Sequence, residues 1–212
     1  MAKRRTSGIQ RRRASEAALS RPLEGRSAAI DPRILIVGGV LVVGAIILVV
    51  VILFGGRAAA PIGTRMAPEG ADHVPVGQMP TYQSRPATSG PHWNALGQGP
   101  IDWGVYTSPV AEPAVVHNLE HGGIVIWYQP GQTSAQDVQA LTQFVEQQIR
   151  SSRFKVILSP WGGEDFGAPI AVTAWEWMLK LETADLDQIR AFIDQHYQQA
   201  PENQGGPGQP VG

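Results

Sequence analysis

Five residues in a row carry most of the chemistry this chain can do: His117, Asn118, Leu119, Glu120 and His121, followed directly by Gly122 and Gly123. The whole protein has only 5 histidines, and four of them, His73, His92, His117 and His121, lie between 73 and 121. Imidazole nitrogens and a carboxylate are the ligand set of zinc and copper. We therefore take His92, His117 and His121, with Glu120 or His73 as a further donor, as the candidate metal ligands, and zinc or copper as the ion. Three protein ligands would leave a coordination position open.

Other chemistries fit the same residues. His-x-x-Glu-His is the inverted zinc-protease signature, in which two histidines four apart on a helix share a metal while the Glu activates water. Here Pro113 stands upstream and Gly122-Gly123 downstream, leaving room for about two helical turns. That is short for a protease helix. A Ser89–His117–Glu120 hydrolase lacks the Gly-x-Ser-x-Gly elbow that exposes a nucleophile. A metal-free cluster, with Glu120 accepting from His92 or His117 to fix a loop, is the plain structural reading. The balance leans away from an enzyme. His196 falls near the C-terminus of a predicted helix, where the dipole alone accounts for it.

Positioning such a site takes a domain, and the sequence divides accordingly. Residues 1–33 form a basic arm with nine Lys and Arg against three acidic residues. Residues 34–54 are apolar or Gly without a charge, long enough at 1.5 Å per residue for the roughly 30 Å of a bilayer core. We expect a transmembrane helix there. The excess of Arg before it places the N-terminus in the cytoplasm and residues 58–212 outside, as a single-pass protein of the cell membrane. A cleavable leader ending near Ala58-Ala59-Ala60 is the rival reading, disfavoured by the length of the apolar run and by Pro61. Residues 55–80, rich in Pro, Gly and Ala, read as a stalk. Residues 81–200 read as an extracytoplasmic domain and 201–212 as a disordered tail.

Eight basic residues against fifteen acidic ones in 34–212 argue against nucleic acid as a partner of that domain. There is no cysteine, so thiolate metal sites, iron–sulfur clusters and disulfides are excluded.

Within 81–200 the prolines of 81–122 predict loops. Ile124 to Tyr128 predicts a buried strand, closed by Pro130-Gly131. A helix follows, capped by Thr133 or Ser134 and burying Val138, Leu141, Val145 and Ile149. Strands are predicted at 155–158 and 170–181, and a last helix from Asp185. The expected fold is α+β: one N-terminal transmembrane helix, then a small extracytoplasmic domain with a mainly antiparallel sheet and two helices on one face. Trp127, Trp175 and Trp177 are expected in the core, with Trp175 and Trp177 on one strand face. Trp93, Trp103 and Trp161 are expected in loops, lining a pocket or meeting a protein partner of the cell envelope. A metal-free interaction module using those tryptophans is the alternative function.

Several spaced blocks resemble a bacterial family, the one catalogued as domain of unknown function 3105. They are Tyr82, Thr88-Ser89-Gly90-Pro91-His92, Trp103-Gly104-Val105-Tyr106, His117 through Gly122, and Thr173-Ala174-Trp175. The likeness covers about residues 70–202. It implies a single-pass, membrane-anchored outer domain and brings no activity with it. The family's motif positions map onto His73, His92, His117, Glu120 and His121. The chain departs at Ala87, where a second Pro is usual, at Asn118 for Ser, and at Glu176 where Gly often follows Ala-Trp. No candidate ligand is lost by these departures.

Overall fold

The computed structural model describes residues 32–54 and 60–202. The basic arm to residue 31, residues 55–59 and most of the expected tail (203–212) lie outside the described residues. The chain divides into two compact units, residues 1–58 and 59–212.

The first unit contains helix α1, Pro32–Phe54. Its described side chains from 36 to 50 are exposed and apolar or Gly. Among the described residues no helix is long and apolar enough to cross a membrane. This finding corrects the expected transmembrane helix over 34–54, and with it the single-pass membrane localisation and its sidedness.

The second unit is an α+β domain on a six-stranded mixed sheet. Its strands are β1 (Thr64–Arg65), β4 (Gly104–Val105), β5 (Ile124–Tyr128), β6 (Val156–Pro160), β7 (Ile170–Ala174) and β8 (Trp177–Leu181), in the order β1-β8-β7-β5-β6-β4. The first half is antiparallel. The β5–β6 and β6–β4 pairs are parallel, so the expected mainly antiparallel sheet is corrected to a mixed one. The cause is the helix α3 (Ala135–Gln148) between β5 and β6. A helical crossover returns the chain in the same direction, whereas a hairpin reverses it.

The helix count also differs. Besides α3 and α4 (Leu186–His196) the domain has α2, Glu112–Glu120, in a stretch expected to be loop. Pro113 sits in the first turn of α2. The missing N–H of a proline costs nothing there, because first-turn donors have no intrahelical partner.

Helices cover both faces of the sheet rather than one. On one face Ile124, Ile126, Val156, Leu158, Ile170 and Val172 pack with Leu141 and Phe144 of α3 and Ile189, Phe192 and Ile193 of α4. On the other, Val125, Trp127, Ile157 and Ala171 meet Val115, Val116 and Leu119 of α2. Alternate residues of β5 therefore enter two cores, and an unbroken apolar strand is what burial on both faces requires.

The expected long strand over 170–181 is a hairpin. Ala174 pairs with Trp177 across Trp175 and Glu176, and Glu176 takes a left-handed φ of 59°. Trp175 consequently packs with the α2-side core and Trp177 with the other, not on a shared face. Trp103, expected in a loop contact, is fully buried. The stretch 60–80, expected as stalk, supplies β1 on the edge of the large sheet and β2 (His73–Val74), which pairs in parallel with β3 (His92–Trp93).

Candidate metal centre

The site is assembled from β2, β3 and α2. In the β2–β3 pair His73 stands in register with His92. Backbone bonds at its start, from Gly90 N–H to the Gly70 carbonyl and from His92 N–H to the Asp72 carbonyl, both 2.9 Å, help to hold this small sheet. On α2, His117 and Glu120 are three residues apart and share a face. The helix ends where it must for β5 to begin. Gly122 N–H bonds the Leu119 carbonyl at 2.9 Å and Gly123 N–H bonds that of Asn118 at 3.0 Å. This pair of bonds is a Schellman turn, and Gly122 supplies its left-handed residue with φ 77°. A side chain at Gly123 would overlap the Trp103 ring.

Ligand atoms of His73, His92, His117 and Glu120 lie within 4.8 Å of one another. His92 Nε2 is 3.0 Å from Glu120 Oε2, and His73 Nε2 is 3.8 Å from the same oxygen. A tetrahedral ion with bonds of about 2.1 Å spaces its ligand atoms by roughly 3.4 Å. The two Glu120 distances bracket that value, so modest side-chain movement closes the group around an ion. His92, His117 and Glu120 are buried, while the His73 side chain is 43% exposed.

The ring tautomers follow from the second nitrogens. His92 Nδ1 donates to the Gly90 carbonyl at 2.9 Å and His117 Nδ1 donates to the Trp93 carbonyl at 2.6 Å. A neutral imidazole that donates from Nδ1 has its lone pair on Nε2. Metal-binding histidines are oriented in this way, by a backbone carbonyl on the far nitrogen. For His92 the consequence is acute. Its Nε2 faces Glu120 Oε2 inside the protein, and neither atom has a hydrogen-bond partner. Two acceptors at 3.0 Å repel unless a cation or a proton lies between them. An unpaired buried carboxylate costs several kcal/mol.

Burial above all, with the neighbouring His92, His121 and His73 rings acting in the same direction and the Trp93 carbonyl opposing, holds the His117 pKa down to about 4. His117 is therefore neutral, the form that ligates.

His121 is not part of this group. It stacks on His117 with ring centroids 4.8 Å apart and donates from Nδ1 to the Glu202 carbonyl at 3.0 Å. The i,i+4 histidine pair of the zinc-protease pattern is thus divided, and Glu120 joins the ligand group where that pattern needs a free base. Ser89 is fully buried, its hydroxyl accepting from Glu69 N–H at 3.0 Å, so it presents no nucleophile to a substrate. His196 lies elsewhere, bonded to the Ile62 carbonyl at 2.9 Å.

Several supporting residues escaped the sequence reading. Asn118 clasps Ile101, accepting from its N–H at 3.0 Å and donating to its carbonyl at 2.7 Å. The buried Lys155 donates to the His121 carbonyl at 2.8 Å, at the C-terminus of α2, where a cation is favoured. Asn94 donates to His73 Nδ1 at 3.1 Å. Asn118 was visible as the one amide inside the His-x-x-Glu-His run; Lys155 and Asn94 carry no sequence signal. A cleft of about 790 Å³ adjoins the group, lined in part by Asn94, Ile101, Asp102, Tyr106, His117 and His121.

No curated protein matches the chain, and no solved structure does. A family model described as "Protein of unknown function (DUF3105)" matches residues 73–208, a span that includes every candidate ligand. The chain belongs to that family.

Proposed function

We propose that the domain binds one divalent transition metal through His73, His92, His117 and Glu120. The observation that carries this reading is the facing pair of buried acceptors, His92 Nε2 and Glu120 Oε2, neither with a hydrogen-bond partner. Three neutral imidazoles and one carboxylate suit zinc or copper. His121, among the ligands suggested by sequence, acts instead as a ring support for His117.

A proton shared between His92 and Glu120 would satisfy that pair without a metal, and it is the competing reading. It gives no role to the Nε2 lone pair of His117 or to the convergence of His73. Thermal melting of the full chain with and without zinc, Cu(II) or Cu(I) distinguishes the two. A ligand that binds only the native state at 100 times its Kd stabilises by about 2.7 kcal/mol. The metal reading expects that shift in the wild type and none in His117→Ala. The proton reading expects no shift with any metal, and equal destabilisation of His117→Ala in its presence and absence.

A further inference from the structure

The four candidate ligands are not equivalent. His92 and His117 are locked by backbone carbonyls on their far nitrogens, and Glu120 is buried between elements. His73 differs on each count. Its side chain is 43% exposed where His92 and His117 are buried, and its Nε2 lies 3.8 Å from Glu120 Oε2 where that of His92 lies at 3.0 Å.

Its far nitrogen is held by an exposed side-chain amide, that of Asn94. In this arrangement Asn94 donates to Nδ1, which leaves the proton of a neutral ring on Nε2, the atom that would have to ligate. Turning the Asn94 amide so that its oxygen accepts from Nδ1–H frees the Nε2 lone pair. Ligation by His73 thus depends on the orientation of one amide, and Asn94 also lines the cleft beside the site.

Resting on the metal reading above, we infer that His73 is a displaceable ligand, and that the cleft delivers a small molecule with one oxygen or nitrogen donor to the coordination position His73 vacates. The cleft, about 790 Å³, falls in the size range of small-molecule sites. Its wall joins apolar Ile101 and Leu96 to polar Asn94, Asp102 and Tyr106. A ligand that takes up the Asn94 amide withdraws the group that orients His73. Entry of the ligand and departure of the histidine are thereby coupled through a single side chain. His92, His117 and Glu120 remain as three fixed ligands, the arrangement of an open, exchangeable metal site rather than a closed structural one.

The test uses the full chain loaded with Co(II), whose visible spectrum reports its ligands, and the probes azide and imidazole. Azide changes the wild-type spectrum in a saturable manner. His73→Ala, altered at a half-exposed position, keeps cobalt with reduced affinity, whereas His92→Ala does not hold it. Imidazole restores the wild-type spectrum to His73→Ala.

The inference is overturned if His73→Ala loses cobalt as completely as His92→Ala, which makes His73 a fixed ligand. It is also overturned if the spectrum of His73→Ala equals that of the wild type, which makes His73 no ligand at all, or if azide leaves the wild type unchanged. Failure of the wild type to bind cobalt, zinc or copper is a different result. It removes the metal reading itself, and this inference with it.

Discussion

Replacing Glu120 by Gln separates the metal and proton readings by sign. The substitution keeps the shape of the side chain and removes its charge. In the metal-free protein of the first reading, Glu120 Oε2 faces the lone pair of His92 Nε2 at 3.0 Å, and both atoms lack a partner. A Gln amide donates an N–H across that gap. It replaces a buried repulsion with a hydrogen bond, and the gain is about 1–2 kcal/mol. In a domain of this size about 1 kcal/mol moves the Tm by roughly 4 °C, so metal-free Glu120→Gln melts about 4–8 °C above the metal-free wild type. Addition of zinc reverses the order. The wild type gains about 2.7 kcal/mol at 100 times Kd, while the variant has lost its anionic ligand and gains little. If instead a protonated His92 pairs with Glu120, the substitution breaks a buried ion pair and costs about 3–5 kcal/mol. Differential scanning calorimetry of both proteins, with chelator and then with zinc, reads the sign. A metal-free variant less stable than the wild type refutes the reasoning.

Three further outcomes follow from the geometry. His117 has its pKa depressed from 6.5 to about 4, so the unfolded chain takes up this proton before the folded one does. Its contribution is complete above about pH 6.5 and is lost as the pH falls through about 4, on the order of 2–3 kcal/mol. Urea unfolding of the metal-free protein across that window shows this slope, and His117→Gln shows less of it; equal slopes contradict the assignment. Gly122→Ala places a side chain at φ 77°, with its Cβ 2.6 Å from the Gln198 backbone, and lowers unfolding stability by about 1–3 kcal/mol; a loss under about 0.5 kcal/mol would be incompatible with the Schellman turn. Glu176→Gly relieves a left-handed φ of 59° and gives up an exposed pair with Arg65 at 3.1 Å. The relief, about 1 kcal/mol, exceeds a surface pair of about 0.5 kcal/mol, so the variant gains slightly; a loss above about 1 kcal/mol reverses that ranking.

What the sequence revealed depended on whether the signal was local. The strand Ile124–Tyr128 and the helix α3 with its Ser134 cap stood out, because β-branched runs and capping residues act within a few positions. The α2 helix did not, because Pro113 was taken as a breaker when it occupies the first turn, where proline is welcome. The hairpin at Trp175-Glu176 had no glycine to announce its positive φ. The parallel pairing of β5 with β6 was implicit in the strand–helix–strand order, yet the antiparallel strands after it dominated the reading. The apolar run over 34–54 was read as a membrane span, and among the described residues no helix meets that requirement.

For the site, His92, His117, Glu120 and His73 were all named from residue type and crowding, and the fold brings these four together. His121 was named among the leading ligands, as the second histidine of His-x-x-Glu-His, four residues from His117. It falls at the cap just past the end of α2, where the backbone leaves helical geometry, and its ring turns to the Glu202 carbonyl. The features that argue most strongly for a metal, the carbonyl-fixed tautomers and the facing acceptors, come from residues such as Gly90 and Trp93 acting through their backbone. Backbone carbonyls leave no trace in a list of side chains.

The central claim is most directly tested by X-ray absorption at the zinc edge on the full chain after equilibrium dialysis against zinc, with metal content measured on the same sample. The account predicts one zinc per chain, bound by three imidazole nitrogens at about 2.0–2.1 Å and one carboxylate oxygen at about 2.0–2.2 Å, with His92→Ala emptied of metal. Zinc retained at well below one per chain, or an equal content in His92→Ala, would contradict it.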